Sequence, residues 1–453
     1  MNNITNFVEL SIIDINHEGQ GVAKLDNFVY FVNEAVTGDK VIARIVELKK
    51  NFAICSIEKI IEKSIYRVDK KCEYFPKCGG CQILGFDYQE QLKYKCNRVI
   101  NDFKKARINL ENVQVNNTLG MDKPFRYRNK TAFSVCKNRG KVQIGTYESN
   151  SHNLIDIDTC VLQDEICDKV VLATKQIFNK YNVNTYDKVL NKGNVRHIVI
   201  RQNRDKEIML IIVTNNKELE NSKKIVEEII KLVPQIKTVV QNINSKSTSK
   251  ILGYKNKILY GAGTLVDYID DLKFIISPHT FFQVNPNQTE KLYETAIDYA
   301  EISKDDVCFD LYCGIGTISL MAARKAKKVI GVEIVEQSIQ DAKKNAINNN
   351  ISNTEFFTGK VEEVLPKLYK KNIRPNIIIV DPPRKGCEKE VLKTISDINP
   401  EKIVYVSCNP ATLARDVKLL VDSGYILKKI QPVDMFGHST HVETVVRLCR
   451  QNH

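Results

Sequence analysis

VCFDLYCGIGTISL, residues 307–320, decides the fold of this 453-residue chain. An apolar run carrying Asp310 ends in a turn with two glycines, Gly314 and Gly316, and a helical pattern starts at Thr317. Strand, glycine turn and helix in that order open a βαβ unit. The alternation continues downstream. KVIGVEI (328–334), TEFFTG (354–359), NIIIVDPPR (376–384), KIVYVSCNP (402–410), GYILKKIQPVDMF (424–436) and HVETVVRLCR (441–450) read as strands. Helical patterns over 317–326, 337–349, 360–370, 388–397 and 411–423 lie between them. This predicts a mostly parallel, doubly wound sheet. The last two strands are too close in sequence for a parallel crossover, so the seventh is expected antiparallel beside the sixth.

Outward from this unit, the organisation is multidomain α/β. Residues 1–63 hold short alternating runs (FVELSII, NFVYFVN, KVIARIVEL, NFAICSIEKI) split by turn signals, which read as a small β-barrel with an RNA-binding strand face. Residues 64–280 begin with a cysteine-rich loop, KCEYFPKCGGCQILGF (71–86), and a helix from Tyr88 to Ala106. Strand-rich runs such as RYRNKTAFSVC (126–136), VRHIVIRQ (195–202) and EIMLIIVTNN (207–216) follow, so this is expected to be an α+β middle domain. Residues 281–453 form the doubly wound domain.

Hydrophobic residues at 43% and charged residues at 27% give the balance of a globular chain, not a disordered one. No apolar run reaches the eighteen or so residues that span a bilayer, and MNNITNFVEL lacks the blocks of a signal peptide. A cytoplasmic location without membrane contact is the expectation. The net charge of +13 favours a polyanionic partner. Basic runs at 102–108, 323–328 and 367–374 fit that partner, and equally fit solvated helix faces. No obligate protein partner is expected. Thirteen cysteines in a reducing compartment point to metal binding or catalysis rather than disulfides.

In open α/β sheets ligands bind beyond the carboxyl ends of the parallel strands. The first such loop carries Gly314 and Gly316. Glu333 ends the second strand, 17 residues past Gly316, where a carboxylate can accept the hydroxyls of a nucleoside ribose. Ser319 stands where the third glycine of a dinucleotide motif would be, so a nucleoside without phosphate, S-adenosylmethionine, fits better than NAD. The fourth strand ends in Asp381-Pro382-Pro383-Arg384 and the fifth in Ser407-Cys408-Asn409-Pro410. The prolines fix φ, which should hold Asp381 and Cys408 at one pocket. A thiolate at Cys408 can add to carbon 6 of a uracil and make carbon 5 nucleophilic. Glu443 opens the last strand at the same edge as a base, with His441 as an alternative. Cys387 lies past the proline turn and Cys313 within the glycine loop, both less suited to attack.

FFQVN (281–285), DLYCGIGT (310–317), DPPRKG (381–386), SCNPATLARD (407–416) and HVETVVRL (441–448), in this order, resemble the motifs of the RNA uridine-5 methyltransferase family. The resemblance spans nearly the whole chain and implies Cys408 as nucleophile and Glu443 as base. It implies Gln283, Tyr312, Glu333 and Asp381 as residues that bind S-adenosyl-L-methionine. The first 63 residues resemble the TRAM domain of the ribosomal RNA members, which implies 23S ribosomal RNA as substrate. Cys72, Cys78 and Cys81 are spaced C-x5-C-x2-C, as for an iron-sulfur cluster or zinc with a fourth ligand elsewhere. From spacing alone Cys160, Cys167, Cys136 and Cys96 all qualify as that ligand; the resemblance implies [4Fe-4S] with Cys160. Two other readings compete. A methyltransferase acting on an exocyclic amine also carries a D/N-P-P turn but follows it with an aromatic residue, where Arg384 stands here. A non-catalytic iron-sulfur RNA-binding protein would keep the fold and lose methyl transfer.

Overall fold

The computed structural model describes residues 7–148, 151, 153–188, 190–248 and 250–451. The opening MNNITN, read above for a signal peptide, lies outside them.

The doubly wound domain forms as the alternation predicts. Its strands are β1 (Val307–Leu311), β2 (Lys328–Glu333), β3 (Thr354–Thr358), β4 (Ile377–Val380), β5 (Lys402–Ser407), β6 (Tyr425–Val433) and β7 (Glu443–Arg450). They lie in the order β3-β2-β1-β4-β5-β7-β6, and a two-residue strand, Gln114–Val115, extends the β6 edge. β1 to β5 are parallel, and β7 runs antiparallel to β6 as expected. The sequence did not show that β7 also inserts between β5 and β6, pairing Ser407 with Thr444. Val380, Ile378, Ile403, Val404 and Val446 are fully buried, because helices cover both faces and leave no solvent side.

Residues 7–62 form a six-stranded sheet around Leu10, Ala23, Val32, Val41 and Ala53. The seven-stranded middle sheet contains one parallel pair, Ile208–Thr214 with Ile236–Ile243, linked by the helix Ser222–Leu232. One face of this sheet packs on that helix and on Glu165–Lys180. The other face, through Val199, Met209, Ile211 and Val240, shares a core with the doubly wound domain.

Two segments placed in the middle domain by sequence instead pack on the C-terminal sheet. The helix Tyr88–Lys105 buries Val99 and Phe103 there, together with Ile108 beyond it. The hairpin Leu265–Ile269/Leu272–Ile276 is bonded to it by Asn345 and Asn349, which accept from Ile275 N (3.1 Å) and Lys273 N (2.8 Å). The periodicity that identified the helix says which face is apolar, not which partner covers it.

Candidate active site

The glycine loop after β1 separates two roles for its glycines. Gly314 (φ 55°) fronts open space, since a Cβ there would meet nothing within 4 Å. Gly316 (φ 83°) starts the helix Thr317–Ala323, and a Cβ there would stand 3.2 Å from Phe356 Cζ and 3.3 Å from Ala342 Cβ. One glycine leaves room for a ligand and the other permits close packing. The Glu333 carboxylate is aimed by two backbone donors, Gly314 N–H to Oε2 (3.2 Å) and Val335 N–H to Oε1 (2.9 Å). Beneath the loop Asp310 is buried: Oδ2 accepts from Ser319 Oγ (2.5 Å), while Oδ1 has no partner. Burial, with a smaller push from Glu333, raises its pKa to about 7.

The turns after β4 and β5 are fastened together. Asn409 Nδ2 and Thr412 Oγ1 each donate to the Arg384 carbonyl at 3.2 Å, and Arg415 Nη2 donates to the Lys385 carbonyl at 2.9 Å. Asn409 also caps the helix Pro410–Asp422, its Oδ1 accepting from Ala411 N–H, and Pro410 fills the first helical turn. These bonds hold Cys408 beside Asp381, and the Ser407–Thr444 register brings Glu443 alongside.

Two carboxyl groups, Glu443 and Asp381, thus meet one thiol, with Asp310 acting on Asp381. Glu443, 4% exposed, is pushed up to about 8, first by burial and then by Asp381, with Arg384 opposing. Asp381 is pushed up to about 7 by burial and by Asp310. The half-buried Cys408 is raised to about 11, by burial first and Glu443 next, while Arg384 favours its thiolate. His441 moves the other way, down to about 4, through burial and the nearby cations Arg384, Arg98 and Lys95. Buried Gln283 meets the hydroxyl of Tyr293, which also bonds Thr317 and senses both Asp381 and Glu443. Tyr312 (φ 70°) has its hydroxyl on the Cys387 thiol. Cys387 and Cys313 are buried in packing, as expected of them.

Sequence reasoning assigned no role to Tyr293, Asp310 or Arg384. A signal existed for two of them: Asp310 ends an apolar strand and Arg384 follows the proline turn. Tyr293 sits on the helix Pro286–Ala300 with no marker of its own.

The segment before Glu443 is gripped from three directions. Lys95 Nζ meets Asp434 Oδ1 at 2.5 Å with both side chains wholly buried, and it also donates to the Phe436 carbonyl at 3.0 Å. Tyr88 Oη donates to Asp434 Oδ2 (2.7 Å), and Gln91 Oε1 accepts from His438 N–H (3.0 Å). The cysteine-rich loop adds Gln82 N–H and Ile83 N–H, both donating to the His438 carbonyl (3.0 and 3.1 Å). Thr440 Oγ1 donates to the His17 carbonyl of the first sheet at 2.7 Å. Removing one member of a buried pair such as Lys95–Asp434 typically costs about 3–5 kcal/mol, since the other charge is stranded.

Cys72, Cys78, Cys81 and Cys160 are neighbours. Burial raises the Cys81 thiol well above its ordinary range, and the other three add to the shift. Cys160 is further fixed by its N–H to Asp168 Oδ1 (3.0 Å). Among the rivals for the fourth position, Cys96 points to the Asn116 carbonyl (3.5 Å) and Cys167 to Gln202 Oε1 (3.4 Å). Neither Cys96 nor Cys167 is among the groups that shift Cys81. As it stands, however, no set of three or more His, Cys, Asp or Glu side chains among the described residues is arranged to hold a metal ion. The expected ligand set is assembled as neighbours, not as a coordination shell.

Comparison with known proteins agrees with this architecture. The tRNA (Uracil-5-)-methyltransferase family profile matches residues 87–451, and the TRAM domain profile matches residues 7–57. An uncharacterized RNA methyltransferase of Clostridium acetobutylicum is 45% identical over 98% of this chain and 97% of its own. Another, of Listeria monocytogenes, is 45% identical over 97% of each chain. The crystal structure of Pyrococcus abyssi tRNA (uracil-54, C5)-methyltransferase with S-adenosyl-L-homocysteine superposes with a TM-score of 0.78. It is 24% identical and covers 97% of this chain and 100% of its own. The chain belongs to the (uracil-5-)-methyltransferase family of RNA-modifying enzymes and carries an amino-terminal TRAM domain. The superposition extends to the first sheet. No helix among the described residues is long and apolar enough to cross a membrane.

Proposed function

We propose that this protein methylates carbon 5 of a uridine in 23S ribosomal RNA with S-adenosylmethionine, using Cys408 as nucleophile and Glu443 as base. The observation that carries the reading is the meeting of one thiol with buried carboxyls whose proton affinities are all raised. Such a site is short of positive charge, with Arg384 the cation acting on both Cys408 and Glu443. A sulfonium lying against Asp381 and Gln283, its ribose on Glu333 and its body in the space before Gly314, would supply that charge.

S-adenosylmethionine contributes an electrophilic methyl group. Cys408 first gives up its thiol proton to solvent, Arg384 and the sulfonium offsetting the burial that opposes ionisation. The thiolate forms a bond to carbon 6, and the π electrons pass to carbon 5 as an enolate. Carbon 5 takes the methyl group, leaving S-adenosylhomocysteine. Glu443 then removes the proton from carbon 5, the double bond reforms and the Cys408 thiolate departs. His441, its proton affinity depressed, is the poorer acceptor. A base buried in RNA must be flipped out to reach this edge.

The choice of ribosomal RNA rests on the motif resemblance to TRAM-bearing ribosomal members. Four clustered thiols with soft-metal chemistry support a [4Fe-4S] cluster that Cys72, Cys78, Cys81 and Cys160 would hold. Polar methyl transfer needs no electron from it.

Two variants test the assignment. With unmodified ribosomal RNA and labelled S-adenosylmethionine, Glu443→Gln should accumulate a protein–RNA band stable to denaturing gels, because the carbon 5 proton cannot leave. Adding Cys408→Ala should abolish the band. Normal turnover by Glu443→Gln, or an adduct that survives Cys408→Ala, would overturn the roles, and label found only on transfer RNA would move the substrate.

A further inference from the structure

A cavity of about 1040 Å³ opens in the middle domain, away from the residues described above. It lies beyond the carboxyl ends of that domain's parallel strands, Ile208–Thr214 and Ile236–Ile243. Loops at such ends are where open sheets bind ligands. Its size is at the upper limit of small-molecule sites, enough for more than one nucleotide.

The lining has a consistent chemistry. Lys217, Lys246, Lys250 and Lys255 line it against Glu218 and Glu220, a net charge of +2 from four lysines less two glutamates. None of the four lysines forms an ion pair among the described residues. Behind the wall Arg196, 7% exposed, spends its Nη1 on the carbonyls of Asn244 and Lys246, and its Nε is buried without a partner. The guanidinium also stacks on the Tyr186 ring, 4.5 Å from its centre. The helix Ser222–Leu232 begins at the cavity with Asn221 (φ 55°), whose side chain makes no capping bond, so the positive end of the helix faces the cavity. Tyr254 stands 82% exposed at the mouth, with Lys246 Nζ 5.6 Å from its ring centre. Asn184, Asn194, Asn215 and Asn216 add amide groups.

A net-cationic hollow with an exposed aromatic ring and a row of amides matches single-stranded RNA: phosphates for the lysines, a base for the ring, base edges for the amides. We infer that this cavity is a second RNA-binding site, which holds an unpaired stretch of the substrate RNA apart from the target uridine. The inference rests on the reading that the substrate is RNA, not on which RNA it is or on methyl transfer.

The full-length protein can be tested with a fluorescein-labelled, unstructured ten-nucleotide RNA and with unmodified ribosomal RNA. Tyr254→Ala should weaken binding of the short RNA about tenfold, the usual range for one stacked base. Lys246→Ala/Lys250→Ala should weaken it at low salt and lower the slope of log affinity against log salt by one to two. Neither variant should alter S-adenosylmethionine binding. In methyl-transfer assays both should raise KM for ribosomal RNA and leave kcat unchanged. Unchanged affinity and salt slope in both variants would overturn the inference, as would saturation of the cavity by free nucleotides without any change in RNA binding. A wild type that binds the short RNA through Tyr254 yet transfers no methyl group would refute the proposed function and leave this site standing.

Discussion

Glu443 carries a stability cost that its burial beside Asp381 imposes. A carboxyl raised from about 4.5 to about 8 in the folded protein binds its proton more tightly there than in the unfolded chain. Between those values the unfolded chain ionises first, so folding stability falls as pH rises through that window. Glu443→Gln removes the titration. Its melting temperature should match wild type near pH 5 and exceed it by several degrees at pH 8, and S-adenosylmethionine should narrow the gap by bringing a cation to the site. Calorimetry at the two pH values checks this; a gap that widens toward acid would mean Glu443 is not held protonated. Cys408 and Glu443 were legible in sequence because each directly follows or opens a strand, where chain position alone fixes the sheet edge. Tyr293 was not, because nothing local says that a helical tyrosine reaches Asp381 and Glu443 across the pocket.

Among the elements, the strand–helix alternation of residues 307–450 was readable because buried parallel strands are continuous apolar runs. The grip on residues 434–440 was not readable. Lys95 and Asp434 are 339 positions apart, and neither sits in a pattern that names the other. The cysteine-rich loop belongs to this grip, since Gln82 and Ile83 follow Cys81 directly and both hold His438. Loading the four thiols should therefore tighten the segment that leads to Glu443. Anaerobically purified protein should be brown with about four irons per chain. Cys160→Ala should lose colour and iron, whereas Cys167→Ala should keep both. Hydrogen exchange across residues 434–442 should speed up in Cys160→Ala. A colourless wild type holding stoichiometric zinc would remove the iron-sulfur reading.

For the molecule as a whole, the three sheets are joined by shared cores and by hydrogen bonds around the segment that precedes Glu443. The first sheet reaches that segment through His17, the cysteine-rich loop through Gln82 and Ile83, and the helix Tyr88–Lys105 through Lys95. The middle sheet shares its apolar face with the doubly wound domain, which fixes the second cavity on the same rigid frame as the reacting edge. Sequence composition reported the outcome of this assembly, a basic surface, but not its geometry, because net charge carries no information on where charges gather.

The place of β7 between β5 and β6 also has a meaning for biosynthesis. A nascent chain that has emerged only as far as Val433 already contains β5 with Cys408 and all of β6, yet the two have no direct ladder to form. β6 must wait, because the partner of its long ladder has not been translated and Gln114–Val115 pairs with only two of its residues. Domains fold in the order they leave the ribosome, but this sheet cannot close until its final strand threads between two earlier ones. Chains truncated at residue 433 and released from the ribosome should therefore be cut by protease within 425–433 while β1 to β5 resist. The strand that completes the sheet also delivers Glu443, so on the proposed roles an unfinished enzyme would own a nucleophile with no means of releasing what it captured.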